Sequence, residues 1–278
     1  MKRTPFLFFA FALSLVPTPL RAGQISSASP ERNIDGIMDN SFLVEEAYNQ
    51  EAGVVQHIGT AFYSRTGRNG PDDEAWDMTF TQEWPLVSQK HQVGFTAPYS
   101  FLESGGQSDN GAGDLLLNYR YQAYFDEKTL RAFAPRLSLI LPTGSDDFSD
   151  ETLGAQINLP FSTTVGDKWF FHFNGGTTFL PQAESAQDEN LWHGNLGASA
   201  IFAATRDFHF LVEWIGQWED DGSQHEFTTV ISPGARLAIN FPNESQLVVG
   251  LAAPIGLTEA SPNFGVFLYC SFEHFFNR

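Results

Sequence analysis

A double alternation constrains this chain more than any motif. From about Val54 to Phe276 it divides into twelve segments of about ten residues in which apolar side chains alternate with polar or small ones, and the connections between them alternate short and long. In 75–84, Trp76, Met78, Phe80 and Trp84 share one face while Asp77, Thr79, Thr81 and Glu83 share the other. Leu115, Leu117, Tyr119 and Tyr121 likewise oppose Asp114, Asn118, Arg120 and Gln122, and Phe208, Phe210, Val212 and Trp214 oppose His209 and Glu213. From the second segment onward the apolar face carries no Asp, Glu, Lys or Arg. Lipid demands that absence, since a charge at the bilayer midplane costs about 2–4 kcal/mol. The pattern predicts an all-β fold, a 12-stranded antiparallel transmembrane β-barrel with short periplasmic turns and long extracellular loops. The first and last segments mix apolar residues onto both faces and leave their parity open.

The connections carry the topology. Long ones are expected at 64–74, 100–112, 142–151, 181–189, 219–225 and 255–262, and short ones at 85–89, 125–130, 165–167, 204–206 and 241–243. An even strand count places both termini on the short-turn side, the periplasm of a bacterial barrel. The chain start agrees with export. Lys2 and Arg3 precede an apolar run ending at Val16, and Pro17, Pro19 and Leu20-Arg21-Ala22 follow, so 1–22 reads as a secretory signal peptide. No other run approaches the ~18 apolar residues of a spanning helix. Residues 54–278 then form the barrel, and 23–53 form an N-terminal segment. That segment is either a flexible periplasmic tail or a stretch that plugs the lumen, where Glu45, Glu46, Asn49 and Gln50 would pair with lumenal arginines.

Charge narrows the partners. Of a net charge of -18, most lies in the six long connections, which hold sixteen acidic residues against Arg65 and Arg68. So acidic an outer face argues against nucleic acid. It fits a solvated, repulsive surface, or one joined to outer-membrane lipid and lipopolysaccharide through hard divalent cations. A single cysteine, Cys270, allows no internal disulfide. Nothing points to an oligomer, and a monomer is expected.

Counting from the short-turn rim puts Asp77, Arg120, Arg136, Glu213 and Arg236 at similar height inside the barrel, with Arg120 beside Arg136. Two adjacent guanidinium groups repel unless a carboxylate or bound anion neutralises them. These five residues are therefore candidates for a lumen constriction, the device that sets selectivity in charged pores. Salt bridges that merely fill a narrow lumen are the other reading. No catalytic set emerges. His193, Asn195 and Ser199 share one face of one strand, but residues six apart along a strand lie about 20 Å apart, too far for nucleophile and base. The histidines lack metal-ligand spacing, and no cofactor motif is present.

Three stretches resemble a known family. NSFLVEEAYNQEAGVVQH (40–57), GDLLLNYRYQ (113–122) and APRLSLILPTG (134–144) are similar to the putative MetA-pathway of phenol degradation family of bacterial outer-membrane proteins. The resemblance implies a barrel associated with uptake of small, often aromatic, compounds, and it brings no catalytic residues. The expected function is an outer-membrane channel or passive transporter for small, aromatic or hydrophobic solutes. A non-conducting surface barrel whose acidic loops bind envelope lipid or partners is the rival.

Overall fold

Period-two patterning becomes strand in every segment, and the strands close into one barrel. A computed structural model of the chain describes residues 36–37, 41–66, 73–187, 189–220, 222 and 225–276. The signal peptide expected at 1–22 lies outside the described residues. The barrel strands are β1 (Val54–Thr66), β2 (Asp73–Leu86), β3 (Ser88–Ser104), β4 (107–126), β5 (131–141), β6 (154–165), β7 (Trp169–Ala183), β8 (Glu189–Ala203), β9 (Phe208–Asp220), β10 (His225–Asn240), β11 (246–256) and β12 (Phe264–Phe275). Each pairs antiparallel with the next, and β12 closes on β1 from Val54↔Phe275 to Arg65↔Phe264. Closure satisfies the backbone internally and leaves no open edge to the lipid.

The wall is not uniform. Strands β4, β5, β6 and β11 are interrupted, and Pro135, Pro160 and Pro254 stand at three of the breaks. Proline has no amide to give the ladder. Neighbouring amides bridge the gaps: Tyr121 N donates to Pro135 O at 3.0 Å and Ala134 N to Pro160 O at 3.2 Å. Outside, Trp76, Leu117, Leu139, Ile157, Phe173, Leu196, Phe210, Trp214 and Leu237 are exposed to the bilayer, while their strand neighbours are buried within the barrel.

The parity of β1 and β12 is settled by what fills the lumen beside them. Gln56, Ile58 and Ser64 of β1 and Phe267, Tyr269, Ser271 and Glu273 of β12 are buried, whereas His57 stacks on the outward Phe80, and Tyr63 packs on Trp76. Ile58, Phe267 and Tyr269 join Ile201, Leu211 and Val248 in an apolar cluster that packs around Phe42 of the N-terminal segment. Apolar side chains therefore face both ways here, which erases the alternation in the sequence.

The extracellular connections are more ordered than expected. Region 100–112 is not an irregular loop, because β3 and β4 stay paired to Ser104↔Gln107 and turn at Gly105 and Gly106 with φ of 58° and 80°. Two successive left-handed residues make the tight hairpin turn that glycine permits. Its polar sequence reflects water on both faces. The connection after β5 folds over the barrel instead: Asp114 accepts from Thr143 N (3.0 Å), Gly144 N (3.0 Å), Ser149 Oγ (2.7 Å) and Asp150 N (3.3 Å).

The orientation has a direct check in a Cys270→Ser background. Gly222 and Gly166 sit in turns at opposite ends of the barrel, where an added side chain meets nothing within 4 Å. A membrane-impermeant thiol reagent on intact cells is expected to label Gly222→Cys and spare Gly166→Cys. Labelling in the reverse sense inverts the barrel.

Candidate functional site in the barrel lumen

A buried stretch of chain without a partner strand must give its amides to side chains. Residues 41–50 do so by crossing the lumen, and successive strands supply the acceptors. The amides of Phe42, Leu43 and Val44 all donate to the Glu213 carboxylate, each at 3.0 Å. Asn174 pairs with the Glu45 backbone in both directions, at 2.6 Å each. Further along, Ala47 N donates to Ser162 Oγ (2.8 Å), Asn49 N to Gln122 Oε1 (2.9 Å) and Gln50 N to Gln92 Oε1 (2.7 Å). The path runs from β9 round to β3.

Glu45 is the electrostatic centre of this clasp. Its carboxylate accepts from Arg120 Nη1 (3.1 Å), Arg136 Nε (2.9 Å) and Asn158 Nδ2 (2.6 Å). Burial works against its charge, but the guanidinium groups of Arg136 and Arg120 and the bonds from Asn158 and Arg136 outweigh it and hold the carboxyl below the ordinary range. Arg120 does more. It donates to Glu46 O (3.1 Å), Tyr48 O (2.9 Å) and Asn49 Oδ1 (3.0 Å), and lies 3.6 Å from Glu83. One planar fork thus reads four residues of the stretch 45–49 through backbone and side chain.

Two apolar anchors flank the clasp. The Phe42 ring packs against Phe267 and Tyr269, with centroids 5.7 and 5.2 Å away. Gly234 and Gly250 line its seat, and a methyl group at either would overlap the ring. At the other end Tyr48 and Ala47 pack with Ala132 and Ala134, and the Tyr48 hydroxyl donates to Leu130 O at 2.7 Å.

The five residues singled out in the sequence fall into separate places. Arg120 and Arg136 are direct partners across β4 and β5 and share Glu45. Glu213, fully buried, holds backbone amides of the segment rather than an arginine. Arg236 is buried with Nη2 3.4 Å from His209 Nδ1. Asp77 is buried opposite Ser100 and makes no ion pair among the described residues. Of the same-face set on β8, Ser199 Oγ bonds Ser41 Oγ and His193 lies 3.3 Å from Glu219. Residues not singled out beforehand, Asn174, Ser162, Gln122, Gln92 and Asn158, supply half of the clasp. Their one signal in the sequence is an uncharged polar side chain at an inward position.

Comparisons place this architecture among known proteins. A family model described as "Putative MetA-pathway of phenol degradation" matches residues 44–273. The solved structure of the COG4313 outer membrane channel from Pseudomonas putida F1 superposes with a TM-score of 0.61 at 12% identity, over 83% of this chain and 98% of that one. The β domain of the Bordetella autotransporter BrkA superposes at 0.52, also at 12% identity, over 81% of this chain and 100% of that one. No curated protein matches the sequence.

Proposed function

We propose that this chain, which belongs to the family described as "Putative MetA-pathway of phenol degradation", is a bacterial outer-membrane β-barrel acting as a passive channel for small, aromatic or otherwise apolar solutes. The observation that carries this reading is how the lumen is filled. A barrel serving only as a scaffold can close its interior with side chains from its own wall. Here the clasp is built largely from hydrogen bonds to the backbone of a separate segment, contacts that water can replace at a net cost of about 0.5–1.5 kcal/mol for each neutral bond and about 1.5–3 kcal/mol for each bond to Glu213 or Arg120.

Arg120, Arg136 and Glu213 are assigned to holding that segment rather than to an open constriction. Beside the segment the rings of Phe42, Phe267 and Phe62 pack on one another in the apolar cluster. The solute class is taken from the family description. No catalytic step is assigned to any lumenal residue.

Planar-bilayer recordings test the reading. The full chain is expected to show small unit currents, and the chain lacking residues 23–53 currents at least several-fold larger. Background current from both favours the rival, a non-conducting surface barrel whose acidic loops meet lipopolysaccharide through divalent cations.

A further inference from the structure

Asp77 stands apart from the clasp. It is 2% exposed, and neither of its carboxylate oxygens has a hydrogen-bond partner among the described residues. The buried carboxylates of Glu213, Asp114 and Asp150 accept hydrogen bonds. The hydroxyl of Ser100, the direct partner of Asp77 on β3, is buried beside it. An unpaired carboxylate taken out of water is costly unless it takes up a proton or something positive meets it.

The surroundings say what that would be. Along one hydrogen-bonded register the inward residues run Phe267, Phe62, Asp77, Ser100 and Gly111 across five consecutive strands. The rings of Phe267 and Phe62 lie 6.2 Å apart. Phe148, from the folded-in connection after β5, lies over Gly111, where a methyl group would overlap it. Asp77 is thus bracketed by aromatic rings on both sides. Asp73 opens β2 at the extracellular end, which puts Asp77 about 13 Å below that rim. The acidic connections above it raise the local concentration of cations.

We propose that Asp77 and Ser100, flanked by Phe62, Phe267 and Phe148, form a binding site for a small organic cation with an aromatic body, an arylalkylammonium, arriving from the extracellular mouth. The ammonium donates to Asp77 and Ser100, and the rings take the aromatic body and part of the charge on their faces. A neutral apolar solute of the same size leaves the carboxylate unpaired. The assignment rests on the reading of the barrel as a solute channel and adds a charge preference to it.

Calorimetric titration of the full chain in lipid nanodiscs tests it, with benzylammonium chloride as the probe and benzyl alcohol as its neutral counterpart. Benzylammonium is expected to bind saturably, at least about tenfold more weakly to Asp77→Asn and a few-fold more weakly to Phe62→Leu, which keeps the carboxylate. Benzyl alcohol is expected to give no saturable heat. Unchanged affinity in Asp77→Asn, equal binding of the alcohol, or no saturable binding of benzylammonium overturns the site. If Asp77→Asn does not fold, unchanged affinity in Phe62→Leu overturns it. Conductance of the same preparation separates the two ideas: a barrel that conducts without binding removes this site alone, and one that binds without conducting removes the channel.

Discussion

Arg120→Ala is expected to be the most damaging single substitution in the lumen, lowering stability by about 3–5 kcal/mol, the cost of stripping one partner from a buried ionic network. The side chain is 2% exposed. Removing it takes away bonds to Glu45, Glu46 O, Tyr48 O and Asn49 at once and leaves Glu83 without its guanidinium. Arg136→Ala should cost less, because its side chain is 17% exposed and Glu45 keeps Arg120. The temperature at which the folded, fast-migrating gel band gives way to the unfolded one measures both. A pH series separates charge from packing. Because the folded Glu45 carboxyl titrates below its ordinary 4.5, its contribution is complete above that value and is lost as the pH falls through the lower folded value. The gap between wild type and Arg120→Ala should therefore narrow on acidification below about 4.5. A gap that is flat with pH assigns the arginine to packing instead.

How much of this was legible in the sequence follows from where period two survives. Strands β2 to β10 set lipid against a largely polar lumen, with inward Ile201 and Leu211 as exceptions, so most of their inward and outward residues could be read directly, and Arg120 and Arg136 could be placed side by side. Strands β1 and β12 could not be read that way. Their inward Ile58, Phe267 and Tyr269 face Phe42, a residue of the segment, and nothing local in a strand announces that its lumenal neighbour is apolar. The same limit hid the partners of the charges. Glu213 reads as a lumenal acid awaiting an arginine, yet its ligands are three consecutive backbone amides, which no side-chain pattern encodes. In the outer hairpin of β3 and β4, Gln107, Ser108, Asp109 and Asn110 stand above the membrane with water on both faces, so a paired strand there looks like loop.

Glu213→Ala should open the channel. The carboxylate is fully buried and accepts from Phe42, Leu43 and Val44. Without it three amides would stay in the wall unpaired, each at a cost of about 1–3 kcal/mol. The segment has another course, since it can leave the wall and recover those bonds with water. Its departure is resisted by the Phe42 ring between Gly234 and Gly250 and by the Glu45 clasp on the far side. Because three lost bonds exceed what one buried ring supplies, about 1.5–3 kcal/mol, the end of the segment near β9 should detach first. Conductance is then expected to rise several-fold while the barrel keeps its heat-modifiable migration. Glu213→Gln keeps one acceptor oxygen but turns an NH2 group towards the same amides, so its conductance should fall between wild type and Glu213→Ala. Unchanged conductance in Glu213→Ala, with the barrel intact, would show that the passage is not limited by this segment. Loss of the folded band would instead make residues 41–50 a part of the folding core that the wall cannot do without.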